Sequence, residues 1–361
     1  MIVMFWKREG PAIALVLVLT LPVLWFFIGT QIYAQVAHAS PLCQEDEEGE
    51  HYGNTPSSYD ITLYGDVMEW FDTSNYTIES WENVTIPSLD EGIELSGWWA
   101  ETNPGGATII LVHGVRSCKE NHAILLPGAI LHNAGFNVLA IDLRDHGYST
   151  IEDMRVSAGQ KEWRDVAGAW EWLQDEQGIP IDKIGILGNS MGAATVALAF
   201  ALETDIESVW LDSSFYDMDR IINSELERLN LPTMFTTAGI YAGIFSTGED
   251  ITAHAPNEAA RDVGNRSMFI LHNEADERVA FVHGQDMCND AQESVSTGFV
   301  NCWFVNTTIF TEGFDEPVGH IVPMLTMTNE YEQKLVGYFA QSLNHELPAN
   351  YAAINQSFSP Q

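Results

Sequence analysis

The chain has 361 residues, 46% of them hydrophobic, with 11 Trp and 17 Phe. That content is ample for a packed core and excludes a disordered protein. There are 51 acidic residues against 15 basic ones, a formal net charge of −36, which argues against nucleic acid as a partner because the surface would repel phosphates. The same balance fits an acidic exported surface or adaptation to high salt, and composition does not separate the two.

Lys7 and Arg8 precede an apolar run at residues 12–28, which continues more weakly through Ile32, Tyr33, Ala34 and Val36. About 20 residues at ~1.5 Å each cross a bilayer core, and the run suffices if residues 29–33 are counted. One reading is a cytoplasmic N-terminus at residues 1–10 and a signal anchor at residues 11–36. The other is a signal peptide cleaved after about residue 39, where Ala37-His38-Ala39 makes an A-x-A site. The run exceeds the usual apolar length of a signal peptide, about 7–15 residues, which favours the anchor. In both readings the basic flank stays inside and everything after Ser40 is exported.

Residues 40–75 read as an acidic linker containing Glu45-Asp46-Glu47-Glu48. Strands are expected at residues 76–86 and 93–101. Residues 107–112 form a short continuous apolar run, as in a strand buried on both faces, and end in His113-Gly114-Val115-Arg116. A helix is expected at residues 121–133. A strand at 136–141 leads into Asp142-Leu143-Arg144-Asp145-His146-Gly147-Tyr148-Ser149. Residues 161–177 carry Trp163, Val166, Ala167, Trp170 and Leu173 on one helical face.

The most informative stretch is Ile184-Gly185-Ile186-Leu187-Gly188-Asn189-Ser190-Met191-Gly192. It reads as a buried strand turning sharply into the apolar helix that begins near Ala193. In such a turn the serine sits in strained backbone, and glycine two residues away on each side relieves a collision. Ser190 Oγ is then exposed above the sheet edge, with helix-opening N–H groups beside it. A serine N-cap would explain the motif alone, but not the aspartate and histidine candidates downstream.

Further strands are expected at 208–211, 267–271 and 302–309, and helices at 281–291 and 330–343. Alternating strands and helices imply a parallel, right-handed, helix-covered sheet. Residues 215–264 form an insertion made apolar by Leu231, Met234, Phe235, Ile240, Tyr241 and Phe245. These serve either packing beneath a cap or a pocket. Four cysteines allow three pairings. Cys288 and Cys302 lie close in sequence, at a helix end and a strand start, and are expected to bond, leaving Cys43 and Cys118.

Taken in order, His113-Gly114, Asp142-x-Arg144-x-His146-Gly147-x-Ser149, Gly188-x-Ser190-x-Gly192, Asp276-x-x-Val279 and Gly319-His320 resemble the α/β-hydrolase family over residues 76–345. The resemblance implies an α/β-hydrolase fold: an eight-stranded, mostly parallel sheet with an antiparallel second strand and helices on both faces. A small cap would lie at about 215–264, a tail at 346–361, and a transmembrane helix or signal segment in front. The chain looks closest to the small-cap, esterase-like serine-hydrolase branch. It departs from that branch at Asp145, where glycine is usual.

On this resemblance Ser190 would be the nucleophile, His320 its base and Asp276 the acid that orients the histidine. Glu274 and Asp212 are rival acids, and Asp212 follows the sixth strand, where some hydrolases keep theirs. His113 and His146 are read as braces of their loops. The backbone N–H groups of Val115 and Met191 would form an oxyanion hole. No metal or cofactor is implied, because there is no H-E-x-x-H, paired-cysteine or glycine-rich phosphate motif in the right context. The expected function is an exported, membrane-anchored or secreted serine hydrolase acting on a small-molecule ester. A serine peptidase or amidase on the same fold, or a non-catalytic binding protein, are the alternatives.

Overall fold

The computed structural model describes residues 2–39, 53–61, 71–310 and 317–351. Much of the expected acidic linker, Cys43 and most of the expected tail lie outside the described residues.

The chain opens with α1 (Ile2–Val36) and reaches the sheet at β1 (Glu82–Pro87) and β2 (Glu94–Ala100). Then follow β3 (Thr108–Val112), α2 (His122–Asn133), β4 (Asn137–Ile141), α3 (Trp163–Asp175), β5 (Ile184–Asn189) and α4 (Met191–Leu202). After β6 (Ser208–Asp212), the insertion folds as α5 (Met218–Arg228), α6 (Thr236–Thr247) and α7 (Asn257–Arg261). The domain closes with β7 (Ser267–Asn273), α8 (Val282–Ser294), β8 (Phe299–Val305), α9 (Pro323–Thr326) and α10 (Thr328–Ser342).

Among the described residues eight strands form one sheet in the order β1-β2-β4-β3-β5-β6-β7-β8. β2 runs antiparallel to both its neighbours, and the pairs from β4 onward are parallel. Every residue of β3, β4, β5, β6 and β7 is buried, as continuous apolar strands require when helices cover both faces. One face packs Val112, Ile141 and Ile186 against Val166 and Trp170 of α3, Val196 and Phe200 of α4 and Met287 of α8. The other packs Ile109, Leu111 and Trp210 against Ile124 and Ile130 of α2 and Tyr331, Leu335 and Phe339 of α10. The result is a three-layer α/β/α sandwich.

Two expected strands are displaced. Residues 76–81 do not join the sheet. Ile78 N–H instead bonds Pro56 O at 2.7 Å, and the aromatics of this stretch pack beneath the sheet, Tyr76 on Phe71 and Trp81 on Trp98. β8 lies earlier than the pattern suggested, because its parallel register with β7 runs from Ser267↔Phe299 to Asn273↔Val305. Beyond Val305 the chain turns away, with Thr307 N–H bonded to the Asn273 side chain.

The N-terminal helix is 35 residues long and contains one stretch, Val18–Val36, long and apolar enough to cross a membrane. Leu15, Val16, Val18, Leu19, Leu21, Val23 and Leu24 are all exposed. Beyond Trp25 the helix packs on the domain. Its end is held by Arg116, whose Nη2 donates to Gln35 O at 2.6 Å and whose Nε donates to His38 O at 3.1 Å.

The unusual Asp145 belongs to this docking. It sits at φ 61°, a left-handed backbone region where Asp is tolerated better than most residues. Its Oδ1 accepts the N–H groups of Glu152, Asp153 and Met154 at 2.8, 3.0 and 2.9 Å. The loop so fixed takes Ala39 N–H on Met154 O and gives Val156 N–H to Ala37 O. A glycine there would supply the φ but none of these bonds.

Cys288 of α8 and Cys302 of β8 form a disulfide across 14 residues of sequence. Cys118 is also disulfide-bonded. Closing a loop of this size is worth about 3 kcal/mol by restricting the unfolded chain. The Cys288→Ala, Cys302→Ala double variant should therefore lose about 2–3 kcal/mol in urea unfolding, with a slope no smaller than the parent's because the unfolded chain is less restricted. A midpoint unchanged within error would contradict this.

Candidate active site

The site is built on the turn from β5 into α4. Ser190 has φ 53° and ψ −124°, a conformation costly for any residue with a side chain. The close packing allows no Cβ on either flank. One added at Gly188 would stand 2.4 Å from Gly192 O, and one at Gly192 would stand 2.4 Å from both His113 O and Val112 O. The turn is held from below by α4, whose residues Met191 to Phe200 are all buried, and laterally by Ser190 N–H on Asp212 O at 2.8 Å.

The loops after β7 and β8 bring two more groups to Ser190. His320 Nε2 lies 2.9 Å from Ser190 Oγ, and His320 Nδ1 lies 2.8 Å from Asp276 Oδ2. An ionised carboxylate only accepts, so Nδ1 carries the proton and the free Nε2 pair faces the serine hydroxyl. Burial pushes the Asp276 carboxyl up. The facing His320, the nearby His272 and the Val279 N–H outweigh it, and its pKa ends below the ordinary value. Its Oδ1 accepts the N–H groups of Arg278 and Val279 at 2.9 and 2.8 Å, which fixes the carboxyl plane.

Asn273, at the end of β7, fastens the two loops together. Its Nδ2 donates to Thr307 O at 2.6 Å and to Gly319 O at 2.7 Å, and its Oδ1 accepts from Thr307 N–H. Gly319 lies so close to the β7 loop that a Cβ would stand 2.1 Å from Ala275 O. His320 is thereby delivered beside Asp276. The sequence reading passed over Asn273, since a single asparagine after a strand carries no distinguishing signal.

The rivals fall elsewhere. Glu274 is exposed and accepts from Asn306 Nδ2 at 3.2 Å. His113 and His146 lie 5.0 Å apart and tie the 113–116 loop to the 142–149 loop, through Leu143 N–H on His113 Nε2 and Arg116 N–H on His146 Nε2. Burial pulls the His113 pKa down to about 3, so it stays neutral. Val115 and Met191 both line the cavity beside Ser190. Met191 opens α4, where N–H groups have no intrahelical acceptor. A Cβ on Gly114 would stand 3.1 Å from Ser190 Cβ, so the 113–115 backbone passes directly by the serine. The cavity wall also includes Tyr33, Val36 and Ala37, which nothing in the sequence pattern indicated.

A strained serine between strand and helix, with a histidine and an aspartate beyond the last two strands of this sheet order, is an arrangement that the α/β-hydrolase fold accommodates. The family model of the alpha/beta hydrolase fold matches residues 107–243. The Pyrococcus furiosus esterase Pf2001 superposes with a TM-score of 0.58 at 20% identity, covering 80% of this chain and 98% of that one. The Pyrococcus horikoshii acylaminoacyl peptidase superposes with a TM-score of 0.54 at 15% identity, over 75% of this chain and 42% of that one. In sequence, an uncharacterized 31.7 kDa protein of Escherichia coli is 29% identical over 157 residues, 43% of this chain and 53% of that protein. An uncharacterized protein of Mycobacterium tuberculosis is 25% identical over 138 residues, 38% of this chain and 47% of that protein. The chain thus spans about half the length of these curated relatives. The chain has the α/β-hydrolase fold.

Asp212 lies fully buried at the end of β6, where its Oδ1 accepts from Ser213 Oγ at 3.0 Å. Burial pushes its pKa up to about 7. The unfolded value is about 3.9, so between these values the folded state holds a proton that the unfolded state releases. The stability this supplies is present below about pH 4 and lost as pH rises through about 7. Asp212→Asn should therefore be stabilised relative to the parent at pH 8 more than at pH 4.5, by several degrees in Tm. Melting curves giving the same difference at both pH values would contradict it.

Proposed function

We propose that this protein is an exported, membrane-anchored serine hydrolase that cleaves carboxylic esters through an acyl-enzyme. The observation that carries this reading is the continuous hydrogen-bonded line from Asp276 through His320 to Ser190 Oγ. Ser190 Oγ attacks the ester carbonyl as His320 Nε2 takes its proton. The carbonyl oxygen becomes an oxyanion facing the N–H groups of Val115 and Met191. When the carbon–oxygen bond to the alcohol breaks, His320 returns the proton to the departing alkoxide. Water, activated by the same histidine, then attacks the acyl-enzyme and releases the acid and Ser190. Asp276 remains ionised throughout and stabilises the imidazolium.

Ester over amide is favoured by the esterase among the structural neighbours, and the acylaminoacyl peptidase keeps an amide alternative open. Retention of the N-terminal helix is favoured by the burial of Ala37 and Ala39 and by their backbone bonds to the 154–156 loop. A cut after Ala39 would strip these from the domain. Export is favoured by Lys7 and Arg8 ahead of the apolar span and by the Cys288–Cys302 disulfide, which suits an oxidising compartment.

The three side chains act as one unit, so their losses should not add. Ser190→Ala and His320→Ala should each abolish hydrolysis of a short-chain aryl ester, and the double variant should be no worse than either. Asp276→Asn should lower kcat by up to about 10⁴-fold, by the measure of other serine triads. Asp212→Asn should be milder. Initial rates on matched esters and amides decide the matter: full activity in Ser190→Ala would end the reading, and greater damage from Asp212→Asn would move the acid to β6.

A further inference from the structure

The cavity against Ser190 is apolar, measures about 140 Å³, and has the end of α1 as part of its wall. An apolar cavity of about that size is filled by a ring no larger than benzene. It does not end there. A second groove of about 320 Å³ runs between α1 and α5, lined by Phe27, Ile28, Ile32, Leu226, Leu231 and Phe235. The two spaces share Gln35, Val36, Glu225 and Leu229 as walls. The groove thus adjoins the cavity that holds the serine hydroxyl, with Val36 and Leu229 as the apolar walls and Gln35 and Glu225 as the polar walls common to both.

The packing of α6 fixes the level of this groove. α6 crosses α1 with glycine at the contacts: a Cβ on Gly29 would stand 2.2 Å from Ala238 O, one on Gly239 3.0 Å from Ile32, and one on Gly243 2.6 Å from the Tyr33 ring. Small residues of this kind let two helix backbones meet, as they do in bilayers. Tyr241 meets Trp25 at 6.4 Å between ring centroids, and Phe245 meets Phe26 edge-on at 5.4 Å. Trp25 and Phe26 lie where the exposed apolar part of α1 gives way to the part packed on the domain, and aromatic residues of this kind are enriched at membrane interfaces. At this level the cap exposes Phe245 (81%), Met234 (73%), Tyr241 (57%) and Leu231 (41%). Such a patch is poorly placed in water and well placed against lipid.

Resting on the membrane-anchored hydrolase reading, we propose that α6 is seated in the outward leaflet and that the groove between α1 and α5 admits the acyl chain of a bilayer-resident lipid ester sideways to Ser190. The carbonyl then reaches Ser190 while the chain stays in apolar surroundings, and the alcohol leaves toward water. The substrate class is a long-chain acyl ester held in the membrane rather than a soluble short ester.

The test uses the full chain in phosphatidylcholine vesicles doped with a phosphatidylcholine that carries a diazirine on its acyl chain. In Ser190→Ala protein, light should attach the lipid to peptides containing residues 31–36 and 226–235, and Leu231→Glu should reduce that labelling at least tenfold. Labelling confined to residues 15–27 overturns the proposal. In protein with Ser190 intact, Leu231→Glu or Phe235→Asp should lower the ratio of vesicle-ester to soluble-ester turnover at least fivefold, and an unchanged ratio overturns it. Labelling does not depend on turnover. Groove labelling in a protein that hydrolyses neither ester would support the lipid path while refuting the hydrolase chemistry.

Discussion

The backbone at Ser190 is the constraint around which this molecule is arranged. A non-glycine residue at φ 53° and ψ −124° persists only where its surroundings leave no alternative. Here the surroundings are β5 in the middle of the sheet, a wholly buried α4, and the 113–115 backbone pressed against the turn. Because the turn cannot relax, the hydroxyl has a fixed position above the strand ends. Every other group in the site is placed relative to it.

The partners arrive by a different device. β7 and β8 carry loops that have no reason of their own to meet, and one asparagine, Asn273, joins them by three hydrogen bonds to Thr307 and Gly319, while a fourth, from Ala275 N–H, holds its own loop. Gly319 then passes close to Ala275 O, and His320 lands between Asp276 and Ser190. The loop after β4 shows the same economy. Buried Lys119 pairs with Asp142, and Arg144 reaches Asp165 at 2.7 Å, so that His146 and Asp145 can brace the 113–116 loop and the end of α1 respectively.

Much of this was legible in the residues because glycine and apolar runs report local geometry. Gly188 and Gly192 announced a turn that admits no Cβ, and residues 107–112 announced a strand covered on both faces. The order of motifs carried the fold. Where signals depend on long-range packing, the reading failed or was silent. Residues 76–81 have strand-like character but spend their aromatics beneath the sheet. β8 takes its limits from its register with β7 rather than from its own pattern, which Asn301 interrupts. Asp145 looked like a departure without purpose, since its three acceptor bonds go to residues seven to nine positions away. The junction of α1 with the cap was invisible for the same reason: Gly29, Gly239 and Gly243 gain meaning only when the two helices cross.

The central claim is chemical: one serine, made nucleophilic by His320, forms a covalent intermediate. Mass mapping after treatment with a fluorophosphonate tests it most directly, because this reagent phosphonylates a hydroxyl only where a base removes its proton and an oxyanion site receives the charge. The account predicts a single adduct on Ser190 that is absent from His320→Ala protein of unchanged fold. No adduct on Ser190, or an equal adduct in His320→Ala, would contradict it.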